Sequence, residues 1–300
     1  MEAKDRKAAW IALEGRFRNL LAEGGRKLAM EWMELCERMG IDLIFPCSRC
    51  HDNRVSYDSR IERNFYDWDV LSFFCDEAHK RGIEIHPWFC FWGDRENVHP
   101  ELHVKTRDGI SRKEYWLCPA RPESQEYFLD IVIEILEGYP VDGIHLDYIR
   151  YLDKPCYCDY HRADFEEKFG ADPLELSEDS ELWESWNEYN VGTITSFVGR
   201  ISEEARKRGK RVSAAVFMPI DRHDDAGRNP FHLDRIGIWD GHCTGCEFEG
   251  SARCETCSKD YAIFQRWPDW CERGYLDYVC PMNYTPDPDF HGEMLRREVR

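Results

Sequence analysis

The chain has 300 residues, with 40 Lys plus Arg against 58 Asp plus Glu and a formal net charge of −18. That acid excess repels phosphate backbones and anionic lipid surfaces, which argues against nucleic-acid and membrane partners. Hydrophobic residues at 42% can build a core, and no run of about 18 apolar residues offers a membrane span. The N-terminal segment MEAKDRKAAW lacks the apolar stretch of a signal peptide. Without an export signal, the 14 cysteines read as reduced thiols, some of them metal ligands, and the expected compartment is the cytoplasm.

In chain order the sequence alternates strand-like and helix-like segments. Residues 7–14 read as the first strand and 26–39 as an amphipathic helix stopped by Gly40. Residues 41–46 form the second strand, 69–81 a helix closed by Gly82, and 83–91 the third strand. A helix over 123–137 is opened by Pro122 and closed by Gly138, ahead of a fourth strand at 141–148. Residues 194–208, closed by Gly209, precede a fifth strand at 211–217. Residues 262–273, closed by Gly274, precede a sixth at 275–283. The long stretches 152–190 and 219–260 follow strand C-terminal ends, where (β/α) barrels carry functional loops.

This alternation predicts an α/β fold of the (β/α)8 TIM-barrel type, as one domain over 1–300 with a Cys-rich insertion near 219–260. The six β/α units found do not close an eight-stranded barrel, so the expectation is C-terminal truncation. A doubly wound sheet is the alternative, but no glycine-rich phosphate loop follows the first strand. In the fourth strand, Ile144 and Leu146 alternate with His145 and Asp147. The apolar pair suits the helix-covered outside, which turns His145 and Asp147 inward, with Asp147 at the rim.

The segment VDGIHLDYIRY at 141–151 resembles the bacterial family-10-like glycosyl hydrolases, a group of glycoside-hydrolase-like TIM barrels. AHKRGIEIHPWF (78–89), WLCPARPE (116–123), CYCDYHRADFEEKFGADP (156–173), VSAAVF (212–217), RWPDW (266–270) and YVCPMNYT (278–285) match in the family's order. The resemblance implies a barrel acting on carbohydrate. Two departures mark this chain: Cys156, Cys158 and His161 replace a Cys-x-Cys-x-x-Cys pattern, and CTGC and CETC are extra.

Glycoside hydrolysis generally uses two carboxyl groups flanking the scissile bond. Asp147 is the leading candidate, from its rim position, its strand parity and its place in the family motif. Glu14, at the end of the first strand, and Asp287, beyond the sixth, are the candidate partners, with Asp221 weaker. Arg49, His86, Trp88, His145, Tyr148, Arg150, Asn283 and Tyr284 lie at or near strand C-terminal ends as candidate sugar contacts. Trp88 and Trp92 could instead fill the barrel mouth.

Cys243, Cys246, Cys254 and Cys257 form two CxxC hooks suited to one structural zinc. An iron–sulfur cluster is a second option. Cys156, Cys158 and His161 form a three-ligand candidate, with Cys47-x-x-Cys50-His51 as a source of a fourth ligand or a separate redox pair. Cys36, Cys75, Cys90, Cys118, Cys271 and Cys280 read as small core residues. No organic cofactor is expected. The favoured function is a glycoside hydrolase with paired-carboxylate chemistry. A non-catalytic carbohydrate-binding barrel and a metal-dependent hydrolase or deacetylase are the alternatives.

Overall fold

The computed structural model describes residues 6–12, 20, 24–110, 115–151, 155–177, 179–217 and 263–282. The strands are β1 (Ala8–Ile11), β2 (Leu43–Arg49), β3 (Arg54–Val55), β4 (Arg63–Asn64), β5 (Glu84–Ile85), β6 (Trp88–Cys90), β7 (Gly143–Asp147), β8 (Arg211–Val216) and β9 (Tyr278–Pro281). The helices are α1 (Gly25–Met39), α2 (Val70–Lys80), α3 (Pro122–Gly138), α4 (Asp159–Phe169), α5 (Trp183–Lys207) and α6 (Trp267–Glu272). β1, β2, the β5–β6 pair, β7, β8 and β9 lie side by side in chain order, every pairing parallel. β3 pairs antiparallel with the end of β2 and carries β4 beside it.

The parallel order follows from the helical crossovers, since a parallel neighbour needs a long return connection. All seven residues of β2 and all five of β7 are buried, as strands covered on both faces must be. Outside the sheet, α3 packs Phe128, Ile131, Val132 and Ile135, and α5 packs Ile194, Val198, Ile201 and Ala205. Phe89 and Phe91 point toward this layer, where Phe91 meets Phe128 at 5.7 Å and Phe197 at 5.8 Å. Trp92 belongs to the same layer, wholly buried against Phe128 and Phe197, and does not fill the mouth.

The sheet is strongly curled. Trp10 on β1 donates from Nε1 to His145 Nε2 on β7 at 3.2 Å. In a flat sheet these strands would stand three spacings apart, roughly 14 Å. Tyr278 on β9 likewise reaches His86, between β5 and β6, with its hydroxyl 2.9 Å from Nδ1. Two contacts across the concave face give the curvature of a barrel-type fold.

The helix–glycine–strand junctions at Gly40, Gly82, Gly209 and Gly274 have φ between 63 and 68°, left-handed backbone that glycine adopts without a Cβ penalty. Gly138 differs, because it is the last residue of α3 and the extended Tyr139 ends the helix. The third strand, expected unbroken over 83–91, is split at His86–Pro87. Pro87 has no N–H to give the ladder, while its carbonyl still accepts from His145 N at 2.9 Å.

The stretch 152–190, expected as a long loop, holds α4 and the first turns of α5. Tyr157, Phe165, Leu176 and Trp186 make a small core of their own there. Asn190 is fully buried and donates from Nδ2 to Trp186 O one turn back at 2.7 Å.

A buried ion pair joins the strand ends to the outer layer. Arg49 closes β2 with no exposure, and its Nη2 lies 2.8 Å from Glu62 Oε1. Its Nε lies 3.1 and 3.0 Å from the two Glu62 oxygens. Its remaining donors reach the carbonyls of Cys90 at 2.7 Å and Gly93 at 2.9 Å. Phe128 and Phe89 cover the guanidinium at 4.7 and 5.7 Å, and Tyr127 donates to Glu62. Removing one partner leaves the other charge buried and unpaired. Arg49→Met or Glu62→Leu is therefore expected to cost about 3–5 kcal/mol in denaturant unfolding, and the double Arg49→Met/Glu62→Leu less than the sum of the single changes.

Candidate active site

Strand register sets two inward layers. The lower one contains Trp10, Phe45, His145, Ser213 and Tyr278, paired across β1–β2 and β7–β8–β9, with His86 beside them. Gly143 makes room for His86: a Cβ there would lie 2.5 Å from His86 Cε1. Phe45 stacks on His145 with centroids 4.1 Å apart. His145 accepts from Trp10 at Nε2, so Nδ1 carries its proton and donates to Ser213 Oγ at 3.0 Å. The Tyr278 hydroxyl shares a hydrogen bond with His86 Nδ1 at 2.9 Å.

Both imidazoles are fully buried. Burial pulls His145 down to about 3, with His86 a second cause. Burial, then the Arg211 charge, does the same to His86. Both are therefore neutral at ordinary pH. Both were expected as sugar contacts; they lie buried beneath the mouth, and their hydrogen bonds run to strand neighbours.

The upper layer carries the candidate chemistry. Asp147 ends β7 at 6% exposure. Trp88, in register with His145, reaches up from the lower layer, and its Nε1 donates to Asp147 Oδ2 at 2.8 Å, while the Tyr148 amide donates to Oδ1 at 2.7 Å. Burial pushes its carboxyl above the ordinary value, against the Tyr148 amide, the Arg150 charge and the Trp88 indole. The amide is aimed by an uncommon backbone, since Tyr148 has φ of 53°. Left-handed conformation at a non-glycine residue costs about 1–3 kcal/mol and concentrates at functional positions.

His51 meets the Tyr148 ring edge-on at 4.2 Å, and Trp116 lies 5.3 Å from His51 and 5.8 Å from Tyr148. Arg150 packs its guanidinium over Tyr148 at 5.2 Å and Phe217 at 4.6 Å. Asp147, Trp88, Tyr148 and Arg150 are thus brought together.

Arg49 is not among them. Expected as a substrate contact, it is enclosed and bonded to Glu62 and to the carbonyls of Cys90 and Gly93. Glu14, Asp221, Asn283, Tyr284, Asp287, Cys243, Cys246, Cys254 and Cys257 lie outside the described residues.

Two mouth residues were missed by sequence reading. Trp116 sits in a segment with no strand pattern, although WLCPARPE belongs to the quoted family pieces. His51 was noted only beside two cysteines. Gly93 was the available signal for its position: a Cβ there would lie 2.6 Å from His51 Cα. Asp94 was also unforeseen. It is fully buried, and it accepts from Asn53, Val98 N and His99 N and lies 2.8 Å from His103 Nε2, which orders the 94–103 loop beside the mouth.

Residues 48–300 match the family described as glycosyl hydrolase-like 10. The chain belongs to that family. It is 26% identical over 239 residues to glycosyl hydrolase DigH of Escherichia coli strain K12, covering 73% of this chain and 47% of that protein. It is 22% identical over 234 residues to glycosyl hydrolase YngK of Bacillus subtilis strain 168, covering 72% of this chain and 39% of that protein. The chain thus spans about half or less of the length of the curated relatives it matches.

In fold it is similar to the PgaB (BpsB) glycoside hydrolase domain of Bordetella bronchiseptica. The TM-score is 0.68 at 11% identity, covering 98% of this chain and 79% of that one. It is also similar to alpha-L-fucosidase isoenzyme 2 of Paenibacillus thiaminolyticus, with a TM-score of 0.58 at 17% identity, covering 78% of this chain and 34% of that one. Among the described residues, no helix is long and apolar enough to cross a membrane.

Three buried histidines set an acid limit. His51, His86 and His145 are each held at about 3, below the ordinary 6.5. The unfolded chain takes up their protons first, so each contributes stability that is present above the ordinary value and lost as pH falls toward about 3. Each can remove up to about 1.4 kcal/mol per pH unit over that interval. His145→Gln is expected to flatten the fall in unfolding free energy between these limits, measured by urea titration at a series of pH values.

Proposed function

We propose that this chain is a glycoside hydrolase in which Asp147 is the general acid. The observation that carries the reading is a nearly enclosed carboxyl at a strand C-terminal end, raised by burial and held by an indole and a strained backbone amide. A carboxyl that keeps its proton can deliver it to a departing glycosidic oxygen. In that step the Asp147 proton passes to the leaving oxygen as the C–O bond breaks, and Asp147 is left ionised. The Tyr148 amide, the Trp88 indole and the Arg150 charge all favour that ionised product. As that bond breaks, a second carboxyl attacks the anomeric carbon as nucleophile or activates the water that does so. Glu14 and Asp287 are the candidates, with Asp221 behind them. Trp88 and Tyr148, both half-buried, offer ring faces and edges on which a sugar can stack.

The test is hydrolysis of a panel of chromogenic glycosides by the parent and by Asp147→Asn. The variant should lose at least about 100-fold in turnover. A carboxyl raised in the folded state contributes stability that is lost as pH rises through its folded value. Asp147→Asn should therefore match or exceed the parent's stability at neutral pH. Equal turnover of the two proteins overturns the assignment. Sugar binding without cleavage of any substrate points instead to a carbohydrate-binding barrel.

Trp88→Phe removes a hydrogen bond that favours ionised Asp147. It should move the alkaline limb of the pH–rate profile upward, and a profile unchanged in position removes Trp88 from this role.

A further inference from the structure

We propose that Cys118, Cys156, Cys158 and His161 form a closed structural zinc site fastening the connection after β7 to the segment around Cys118. The sulfurs of Cys118, Cys156 and Cys158 all lie within 4.8 Å of one another, and all three residues are buried. Tetrahedral zinc with Zn–S near 2.3 Å sets sulfurs about 3.8 Å apart, so closing on a metal needs only a small inward shift. His161, in the first turn of α4, is fully buried with Nδ1 3.9 Å from Cys118 Sγ; it lies just outside the 4.8 Å sulfur cluster, so its ligation needs a further movement of the ring toward Cys156 and Cys158. Its Nε2 has no hydrogen-bond partner among the described residues.

Hydrogen-bond donors surround two of the sulfurs. Lys105 N donates to Cys156 Sγ at 3.4 Å, and Cys158 N to the same sulfur at 3.3 Å. The His161 backbone N–H and the Arg121 side chain bond Cys158. Three thiolates and one zinc carry a net charge of −1, and Arg121 balances it. N–H donors around the sulfurs and a nearby cation are what a thiolate–metal centre needs in its outer shell.

The donor set selects the ion. Three soft sulfurs and an imidazole suit zinc and exclude the hard, oxygen-seeking magnesium and calcium. Iron–sulfur clusters generally take four cysteines, and here the fourth group is a histidine. Four protein ligands leave no open position, so the metal is structural.

The assignment differs from the sequence reading in one member. Cys118 is not a plain core residue, and it takes the place that Cys47 or Cys50 was expected to fill. Those two sulfurs lie 3.3 Å from each other instead. The structural consequence is a clamp. The connection carrying Tyr148 and Arg150 runs directly into Cys156 and Cys158, and Cys118 lies two residues beyond Trp116. The metal would tie both walls of the mouth together.

The test is elemental analysis of the full chain purified under reducing conditions, with cobalt substitution as a second reading. The Cys118→Ser/Cys156→Ser variant should hold one zinc equivalent fewer than the parent. Chelation should lower the parent's melting temperature, and added zinc should restore it. Cobalt should give the intense visible bands of tetrahedral thiolate coordination. His161→Cys, which preserves a ligand and should fold, should keep the metal and shift those bands toward an all-thiolate spectrum. Equal zinc in the parent and the double-serine variant overturns the site. So does a reduced parent that holds no zinc and takes none up. An unchanged cobalt spectrum in His161→Cys overturns the place given to His161.

Discussion

The buried Arg49–Glu62 pair is the constraint on which the mouth of the fold depends. A guanidinium with no exposure must have every donor satisfied, and these donors are spread over Glu62, Cys90 O and Gly93 O. That requirement ties the end of β2 to the segment carrying Glu62, to the end of β6 and to the turn beyond it. Phe89 and Phe128 close over the charge and link it to α3. Apolar residues could fill the same volume at no stability cost. What an ion pair adds is direction: it accepts one arrangement of these segments and penalises others.

Above that clamp, polarity is layered. Neutral histidines, a serine and a tyrosine fill the concave interior at the level of His145, each bonded to a strand neighbour. One level higher sit the Asp147 carboxyl, the Trp88 indole and the aromatic edges of His51, Tyr148 and Trp116. The lower layer closes the floor, so the carboxyl loses water from beneath. Burial dominates its acidity for that reason, even with three groups favouring its charge. A floor of neutral imidazoles supplies no compensating cation, and this keeps the carboxyl suited to holding a proton.

The loops around the mouth combine apolar packing with local polar or sulfur centres. Asp94 gathers two backbone amides, Asn53 and His103. The sulfurs of Cys118, Cys156 and Cys158 gather the 116–121 segment and the start of α4. Such centres suit long connections, because a few directional bonds can define one loop arrangement where burial alone is non-directional.

Periodicity in the sequence alone determined the parallel α/β order, the helix ends at Gly40, Gly82, Gly209 and Gly274, and the inward direction of His145 and Asp147. These are local matters: a left-handed cap needs glycine, and alternation along a strand has period two. The family was legible as well, because its motifs are contiguous. Tertiary structure alone decided that Arg49 is buried against Glu62, that His86 and His145 bond to strand neighbours beneath the mouth, that β5 and β6 part at Pro87, and that α5 begins at Trp183. It alone brought Cys118 to Cys156 and Cys158, from 38 positions away. Each of these depends on which distant groups share one desolvated space, and whether a charge, an imidazole or a thiol is core or site follows from its partners there. Spacing along the chain carries no record of that.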